Sequence, residues 1–250
     1  MKALITGASS GLGKDIAIYL DNLGYDTILV ARDVKELNTI KSVMKNKCKI
    51  ITIDLTVKEE LYKLYEETKV DSIDLLVNNA GIGAYGEFKD IQLDKELNLI
   101  ELNIIATHIL TKLYLKDMIQ KDSGRILNIS SLASFSSGPF MATYYSSKSY
   151  LTAITTAIYQ ELKESNSNVK ISLSCPGPFD SNFNNNIGIK FKSKVMSSKE
   201  VAKYTIDKCL KNKLIIIPGF KNKLAYLGIK FLPLKLISKI NYNIQKSKFN

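Results

Sequence analysis

Short, largely apolar runs alternate with longer segments of helical periodicity over most of this chain, and no other feature restricts its fold so strongly. Residues 2–6 form a β-rich run that leads through a glycine-rich turn into an amphipathic helix at about 12–23. Strands are expected again at 26–31, 49–53, 73–77, 125–130, 170–174 and 214–217, and helices at 34–45, 58–68, 93–119, 143–164 and 198–211. The 93–119 segment reads as one long helix or as two pieces. Nearly all-apolar strands are covered on both faces, and strands separated by helices pair parallel through crossovers. The expectation is one α/β domain with a doubly wound parallel sheet of seven strands.

Composition agrees with a packed domain. Of the 250 residues, 45% are hydrophobic and 24% charged, which excludes a disordered or fibrous chain. No run of about 18 apolar residues offers a membrane span. The chain passes from Met1 and Lys2 straight into a strand, without the apolar core of a signal peptide. Cys48, Cys175 and Cys209 are odd in number and widely spaced, which suits a reducing compartment; without CxxC or His/Cys clusters they make no zinc site. These features point to a cytoplasmic protein. The net charge of +11 is concentrated at one end: ten lysines and no acid follow Asp207, whereas residues 1–207 hold 25 basic and 24 acidic groups. Only two arginines are present, Arg32 and Arg125, neither of them in that tail, so a nucleic-acid-binding face is not indicated.

In doubly wound sheets, ligands sit beyond the carboxyl ends of the strands, near the point where strand order reverses. At that place Thr6-Gly7-Ala8-Ser9-Ser10-Gly11-Leu12-Gly13 closes the first strand and opens the first helix. Gly7 suits a tight turn, Gly11 a close backbone approach to a pyrophosphate, and Gly13 close packing of helix on strand, as in Rossmann-like dinucleotide sites. Three glycines after a strand can also be a plain turn, so the strand–turn–helix context carries the reading. The second strand ends Val30-Ala31-Arg32-Asp33. A small residue stands where an acid would hold the ribose hydroxyls of NAD. The arginine beside it can pair with a 2′-phosphate, which favours NADP over NAD. The opposing reading makes Arg32 a solvated residue or a partner of Asp33.

Tyr144 and Lys148 lie four apart on a predicted helix and share one face. Such a pair means little alone, but Ser131 follows the fifth strand thirteen residues before Tyr144, and Asn103 lies on the preceding long helix. With these residues together, the chain resembles a compact, single-domain short-chain dehydrogenase/reductase (SDR). The glycine turn at 6–13 is similar to the family's TGxxxGxG, Asn78-Asn79-Ala80-Gly81 to its NNAG, and Pro176-Gly177 to its PG motif. Asn103, Ser131, Tyr144 and Lys148 resemble its catalytic tetrad, and the resemblance covers about residues 1–219.

The resemblance implies a catalytic, dinucleotide-binding domain over 1–219 and an oxidoreductase that moves hydride between NADPH and a carbonyl or alcohol. It implies Tyr144 as the acid/base, Lys148 lowering the phenol's proton affinity and bonding the nicotinamide ribose, Ser131 polarising the carbonyl, and Asn103 fixing a water in a proton relay. Cofactor contacts are implied for Gly7, Ser9, Ser10, Gly11, Leu12, Gly13, Arg32, Asp54 and Leu55, with Asp54 on the adenine. They are likewise implied for Asn79, Ala80, Gly81, Tyr144, Lys148, Pro176, Gly177, Phe179 and Ser181. A homodimer or homotetramer through the two long helices is also implied. Tyr145 reads as packing or a substrate wall, His108 as a core or helix-packing residue, and Cys175 as a small buried one.

Residues 182–197, NFNNNIGIKFKSKVMS, stand where the family keeps its substrate lid, and their apolar members suit a small apolar substrate. The tail, 220–250, carries apolar residues at helical spacing on either side of Pro233, with lysines on the other face. Two readings stand for it: helices that cover the substrate pocket or a second subunit, or a peripheral membrane contact. For the whole chain, the competing function is a non-catalytic dinucleotide sensor or scaffold, which has no need of the tetrad.

Overall fold

The structure is a computed structural model that describes residues 1–180 and 195–247. Its centre is a seven-stranded, wholly parallel sheet in the order β3-β2-β1-β4-β5-β6-β9. The strands are β1 (Lys2–Thr6), β2 (Asp26–Ala31), β3 (Cys48–Thr52), β4 (Leu75–Asn78), β5 (Arg125–Ile129), β6 (Lys170–Ser174) and β9 (Ile215–Ile216). Strand order reverses beside β1, between it and β4, so the crevice that binds ligands in such sheets opens there.

Alternate residues of one strand feed two cores. Ala3 and Ile5 of β1 join Leu29, Leu37 and Val201 beneath α1 (Gly11–Asn22), α2 (Val34–Lys41) and α7 (Ser198–Leu210). Leu4 joins Ile28, Leu76 and Ile126 beneath α3 (Lys58–Thr68), α5 (Thr107–Gln120) and α6 (Ala142–Glu164). Two-sided burial explains why these strands lack hydrophobic alternation. Between the layers runs a polar ladder. Asn78 donates to Thr111 Oγ1 (3.0 Å) and to Asn128 Oδ1 (2.9 Å), and Asn128 donates to Thr155 Oγ1 (2.9 Å). This ties β4, β5, α5 and α6 in one register.

Three departures from the expected elements have local causes. The segment expected as helix over 34–45 stops at Lys41, because the buried Asp21 carboxylate takes the N–H groups of Lys45 (2.9 Å) and Asn46 (2.9 Å). The long helix is broken: α4 (Leu93–Ile100) runs into an i→i+5 turn at Glu101–Ala106 before α5. Asn103 in that turn is held by neighbouring segments, as described below. A two-stranded parallel pair, β7 (Phe179–Asp180) and β8 (Met196–Ser197), was not expected; two residues per strand carry no periodic signal. Beyond β9 the tail forms α8 (Phe220–Phe231) and α9 (Leu234–Lys246), separated by Leu232 and Pro233.

The first helix is seated by glycine. A Cβ on Gly13 would lie 2.2 Å from the Gly7 carbonyl oxygen and 2.4 Å from Asn79 Nδ2, whereas one on Gly11 would meet nothing within 4 Å. Gly13→Ala must therefore push α1 off the sheet, at a cost of about 3 kcal/mol or more. Gly11→Ala pays only for its positive φ (+51°), roughly 1–2 kcal/mol. Urea denaturation of both variants checks this order, and equal losses would contradict it.

Candidate active site

A cleft of about 840 Å³ lies over the carboxyl ends of the central strands, walled by the glycine turn, the ends of β2 and β3, the segment after β4, and α6. Gly7, Ser9, Ser10, Gly11 and Leu12 line it. Ser10 caps α1 without a side-chain hydrogen bond, and the first turn of α1 carries no acid. The N-terminal amides of α1 thus have no carboxylate or hydroxyl upon them, and the open space beside Gly11 lies against them. Such a helix start fits a phosphate. Gly13 does not line the cleft; it serves the packing described above.

At the adenosine end, Ala31, Arg32, Asp54 and Leu55 all line the cleft. Asp33 is committed elsewhere: its carboxylate caps α2, accepting from Lys35 N (2.9 Å) and Glu36 N (3.1 Å). The Arg32 guanidinium lies 3.8 Å from Asp54 Oδ2, with its side chain 69% exposed. Asp54 Oδ1 accepts from Thr56 N (2.9 Å) and Oγ1 (2.8 Å). Burial opposes the charge on Asp54, but the Thr56 bonds and Arg32 outweigh it and hold the carboxyl below its ordinary range. Asn79, Ala80 and Gly81 complete this floor. Asn79 donates to the carbonyls of Thr6 (3.0 Å) and Gly7 (3.2 Å), while Thr6 Oγ1 accepts from Asn79 N and Ala80 N.

Tyr144 and Lys148 project from one face of α6 into the cleft, and Ser131 faces them from the end of β5. Ser131 lies beside Tyr144 and lowers the proton affinity of its phenol, and Ser131 Oγ accepts from Ala133 N (3.1 Å). The other serines are spent elsewhere. Ser130 donates to the Lys148 carbonyl, and Ser136 accepts from the tail. Lys148 Nζ, buried, donates to the Ile129 carbonyl (3.1 Å) and lies 5.8 Å from the Tyr144 ring centroid. Burial pushes the Tyr144 phenol up to about 12 against the lowering by Ser131, and burial brings Lys148 down to about 8. The ammonium is aimed at a backbone carbonyl rather than at the phenol oxygen, and burial dominates both groups.

Asn103 does not line the cleft. It is fully buried, exchanges two bonds with Ile82 (N to Oδ1 2.9 Å; Nδ2 to O 2.9 Å) and donates to Ser147 Oγ (3.0 Å). These bonds use both hydrogens of its side-chain amide. What it does here is hold the backbone at Ile82 beside Lys148. A Cβ on Gly81 would sit 3.1 Å from Asn103 Oδ1 and 3.3 Å from Lys148 Nζ, so glycine keeps that corner open.

Pro176, Gly177 and Phe179 line the far wall. Ser181 and 182–194 lie outside the described residues. Part of the wall comes from the tail, as expected from the reading in which its helices cover the pocket: Ala225 and Ile229 of α8, and Asn241, Ile244 and Gln245 of α9. Gln245 donates to the Tyr145 hydroxyl (3.0 Å) and its carbonyl accepts from Tyr85; Asn241 donates to Ser136 Oγ (3.1 Å) and the Ser137 carbonyl (2.7 Å). The signal was present in the i, i+4, i+8 spacing of Ile237, Asn241 and Gln245, which are the inward positions of α9. Tyr145 is thus a wall residue of the pocket. His108 is not a core residue: it is exposed and bonds Tyr150 across α5 and α6 (2.7 Å). Cys175 is fully buried. No cluster of metal-ligating side chains occurs among the described residues.

Known proteins share these features. A family model described as short chain dehydrogenase matches residues 1–191. Human "dehydrogenase/reductase SDR family member 7" is 30% identical over 249 residues, covering 95% of this chain and 72% of that protein. The "3-oxoacyl-[acyl-carrier-protein] reductase FabG" of Rickettsia prowazekii is 32% identical over 207 residues, covering 82% of this chain and 83% of that one. A solved short-chain dehydrogenase from Sphingobium yanoikuyae, in complex with NADPH, superposes with a TM-score of 0.83 at 25% identity, covering 92% of each chain. With the glycine cradle, the Ser131–Tyr144–Lys148 group and the parallel seven-stranded sheet in place, the chain belongs to the short-chain dehydrogenase/reductase family of oxidoreductases.

Proposed function

We propose that this protein is an NADP-dependent carbonyl reductase for a small, apolar, uncharged substrate, with Tyr144 as proton donor. The observation that carries the reading is the hydroxyl pair of Ser131 and Tyr144, one helical turn from buried Lys148, on the same cleft as the open N-terminus of α1. A nicotinamide dinucleotide fits that cleft, and when bound it supplies or takes the hydride. The glycine turn and the amides of α1 would hold its pyrophosphate, Arg32 its 2′-phosphate, and Lys148 its ribose. The Arg32 reading is supported by two neighbours: Ala31 leaves room for a phosphate, and Asp33 is occupied as a helix cap. The solved neighbours support a nicotinamide dinucleotide, the Sphingobium protein being in complex with NADPH and a Burkholderia phymatum one with NAD, and the preference for NADP rests on Arg32.

Ser131 would hold the carbonyl oxygen and Tyr144 would pass its proton to that oxygen as charge develops there. A phenol pushed up to about 12 keeps its proton at neutral pH and can donate it to a carbonyl oxygen. The substrate end of the cleft is lined by Met141, Tyr145, Ile229 and Ile244, with Asn241 and Gln245 as its amides. The charged residues on the cleft, among those described, are Arg32, Asp33, Asp54 and Lys148, all at the cofactor end or the catalytic group. That lining suits a neutral ketone or aldehyde. Assembly as a dimer or tetramer through the α4–α5 and α6 faces accords with Leu93 and Leu97 standing exposed on α4.

Tyr144→Phe should bind NADPH as wild type does and lose about 10²–10⁴-fold in turnover; undiminished turnover would remove Tyr144 from the chemistry. Arg32→Ala should weaken NADPH about 10–100-fold by calorimetry and leave NADH unchanged. Equal effects on both would make the arginine a bystander. The pH profile follows from the two buried groups. Lys148, held down to about 8, is charged below that pH, and Tyr144 stays protonated throughout. Reductive kcat/KM should therefore be flat near neutrality and fall above about pH 8, and Lys148→Met should abolish the break.

A further inference from the structure

The tail forms an inner wall of the cleft, yet most of its apolar surface points the other way. On α8, Asn222, Tyr226 and Ile229 turn toward the body, and Tyr226 stacks on Phe135 with ring centroids 4.5 Å apart. The opposite face carries Phe220, Leu224, Leu227 and Phe231, which are 74%, 53%, 50% and 85% exposed. Their spacing of four, three and four residues keeps all four within an arc of about 60° at about 3.6 residues per turn. Leu232 in the turn and Leu234, Leu236 and Ile240 of α9 are exposed as well. Soluble surfaces carry single exposed leucines as a matter of course, but a continuous stripe rimmed by charge marks an interaction site.

The charge around the stripe decides what it meets. Lys221, Lys223 and Lys230 flank it on α8, and Lys235, Lys239 and Lys246 lie on α9. No acid follows Asp207, and among the described residues none of these lysines has an ion-pair partner. Two symmetric copies meeting through this face would bring lysine stripe against lysine stripe, which opposes association. The tail has no arginine for nucleic-acid readout, and a polyanion would leave the phenylalanines and leucines in water. An anionic bilayer satisfies both halves: lysines reach the headgroups while the apolar stripe enters the acyl boundary. No described helix is long and apolar enough to cross a membrane, so the contact lies in the interface plane.

We propose that the α8–α9 tail is a peripheral dock for an anionic lipid surface. Ile229 lines the cleft from the inner side of α8 while the stripe occupies its outer side, so docking places the wall of the pocket against the bilayer. The exposed face and its charge belong to the tail itself, whatever substrate the pocket takes.

The test is co-sedimentation of the full-length protein with vesicles of equal phosphatidylglycerol and phosphatidylcholine, and with phosphatidylcholine alone, with NADPH binding and molar mass recorded on the same samples. Wild type should pellet with the anionic vesicles and not with the neutral ones, and should be released by raising salt several-fold. Phe231→Glu and Leu227→Glu, both at exposed positions, should each weaken partition about tenfold or more while NADPH binding and molar mass stay unchanged. Lys221→Gln, Lys235→Gln and Lys239→Gln combined should do the same through the charge term. Equal pelleting of wild type and the glutamate variants would overturn the proposal, as would no pelleting of wild type with anionic vesicles. A drop in molar mass in Phe231→Glu would assign the stripe to a second copy of the chain instead.

Discussion

The site depends on the joint between the carboxyl ends of β1 and β4. Two strands that are neighbours in the sheet but distant in sequence must end side by side while their chains depart in opposite directions. Thr6 and Asn79 make that joint. The Thr6 hydroxyl takes the amides of Asn79 and Ala80, and the Asn79 side chain returns two bonds to the carbonyls of Thr6 and Gly7. The polar groups that would otherwise be stranded at a reversal of strand order satisfy one another. With the joint closed, Gly7 can turn at positive φ, Gly13 can seat α1 within van der Waals reach of it, and the amides of α1 point into the crevice. The cradle for an anion is thus a consequence of how the sheet is sewn.

The second constraint is burial around the catalytic group. Burial holds the proton on the Tyr144 phenol and weakens that on Lys148, and Ser131 opposes the first effect. A protonated phenol beside a serine hydroxyl is arranged to donate. Asn103 sits in the wide turn of the long helix, and its bonds to Ile82 and Ser147 fix the backbone of the segment after β4 beside Lys148. The polar ladder from Asn78 to Thr155 supports the same region from beneath, so the Tyr144–Lys148 turn of α6 and Ser131 just beyond β5 share one base.

Much of this was legible in the sequence because it rests on local pattern. The strand runs, the glycine turn, the four-residue spacing of Tyr144 and Lys148, and Ser131 after its strand all follow from short-range rules, and the structure brings them onto one cleft. What was not legible depends on contacts remote in the chain. The early stop of α2 needs Asp21, twenty or more residues upstream, to claim the amides of Lys45 and Asn46. The anchoring of Asn103 needs Ile82 and Ser147. The entry of Gln245 into the pocket needs Tyr145 and Tyr85 from other parts of the fold. Burial of the lysine and phenol, and hence the direction of their proton affinities, is likewise a property of the packed site rather than of the YxxxK spacing.

The tail joins these threads, because its inner face completes a neutral, apolar chamber over the hydroxyl pair. Isotope transfer asks whether this chamber reduces a carbonyl. NADPH deuterated at the nicotinamide C4 position would be incubated with the protein and a panel of apolar ketones and aldehydes, and the products weighed by mass spectrometry. Wild type should yield at least one alcohol carrying the deuterium on its carbinol carbon, and Tyr144→Phe, still binding NADPH, should yield almost none. Tight NADPH binding with no deuterium in any product would rule out carbonyl reduction and make the fold a dinucleotide-binding module without this chemistry.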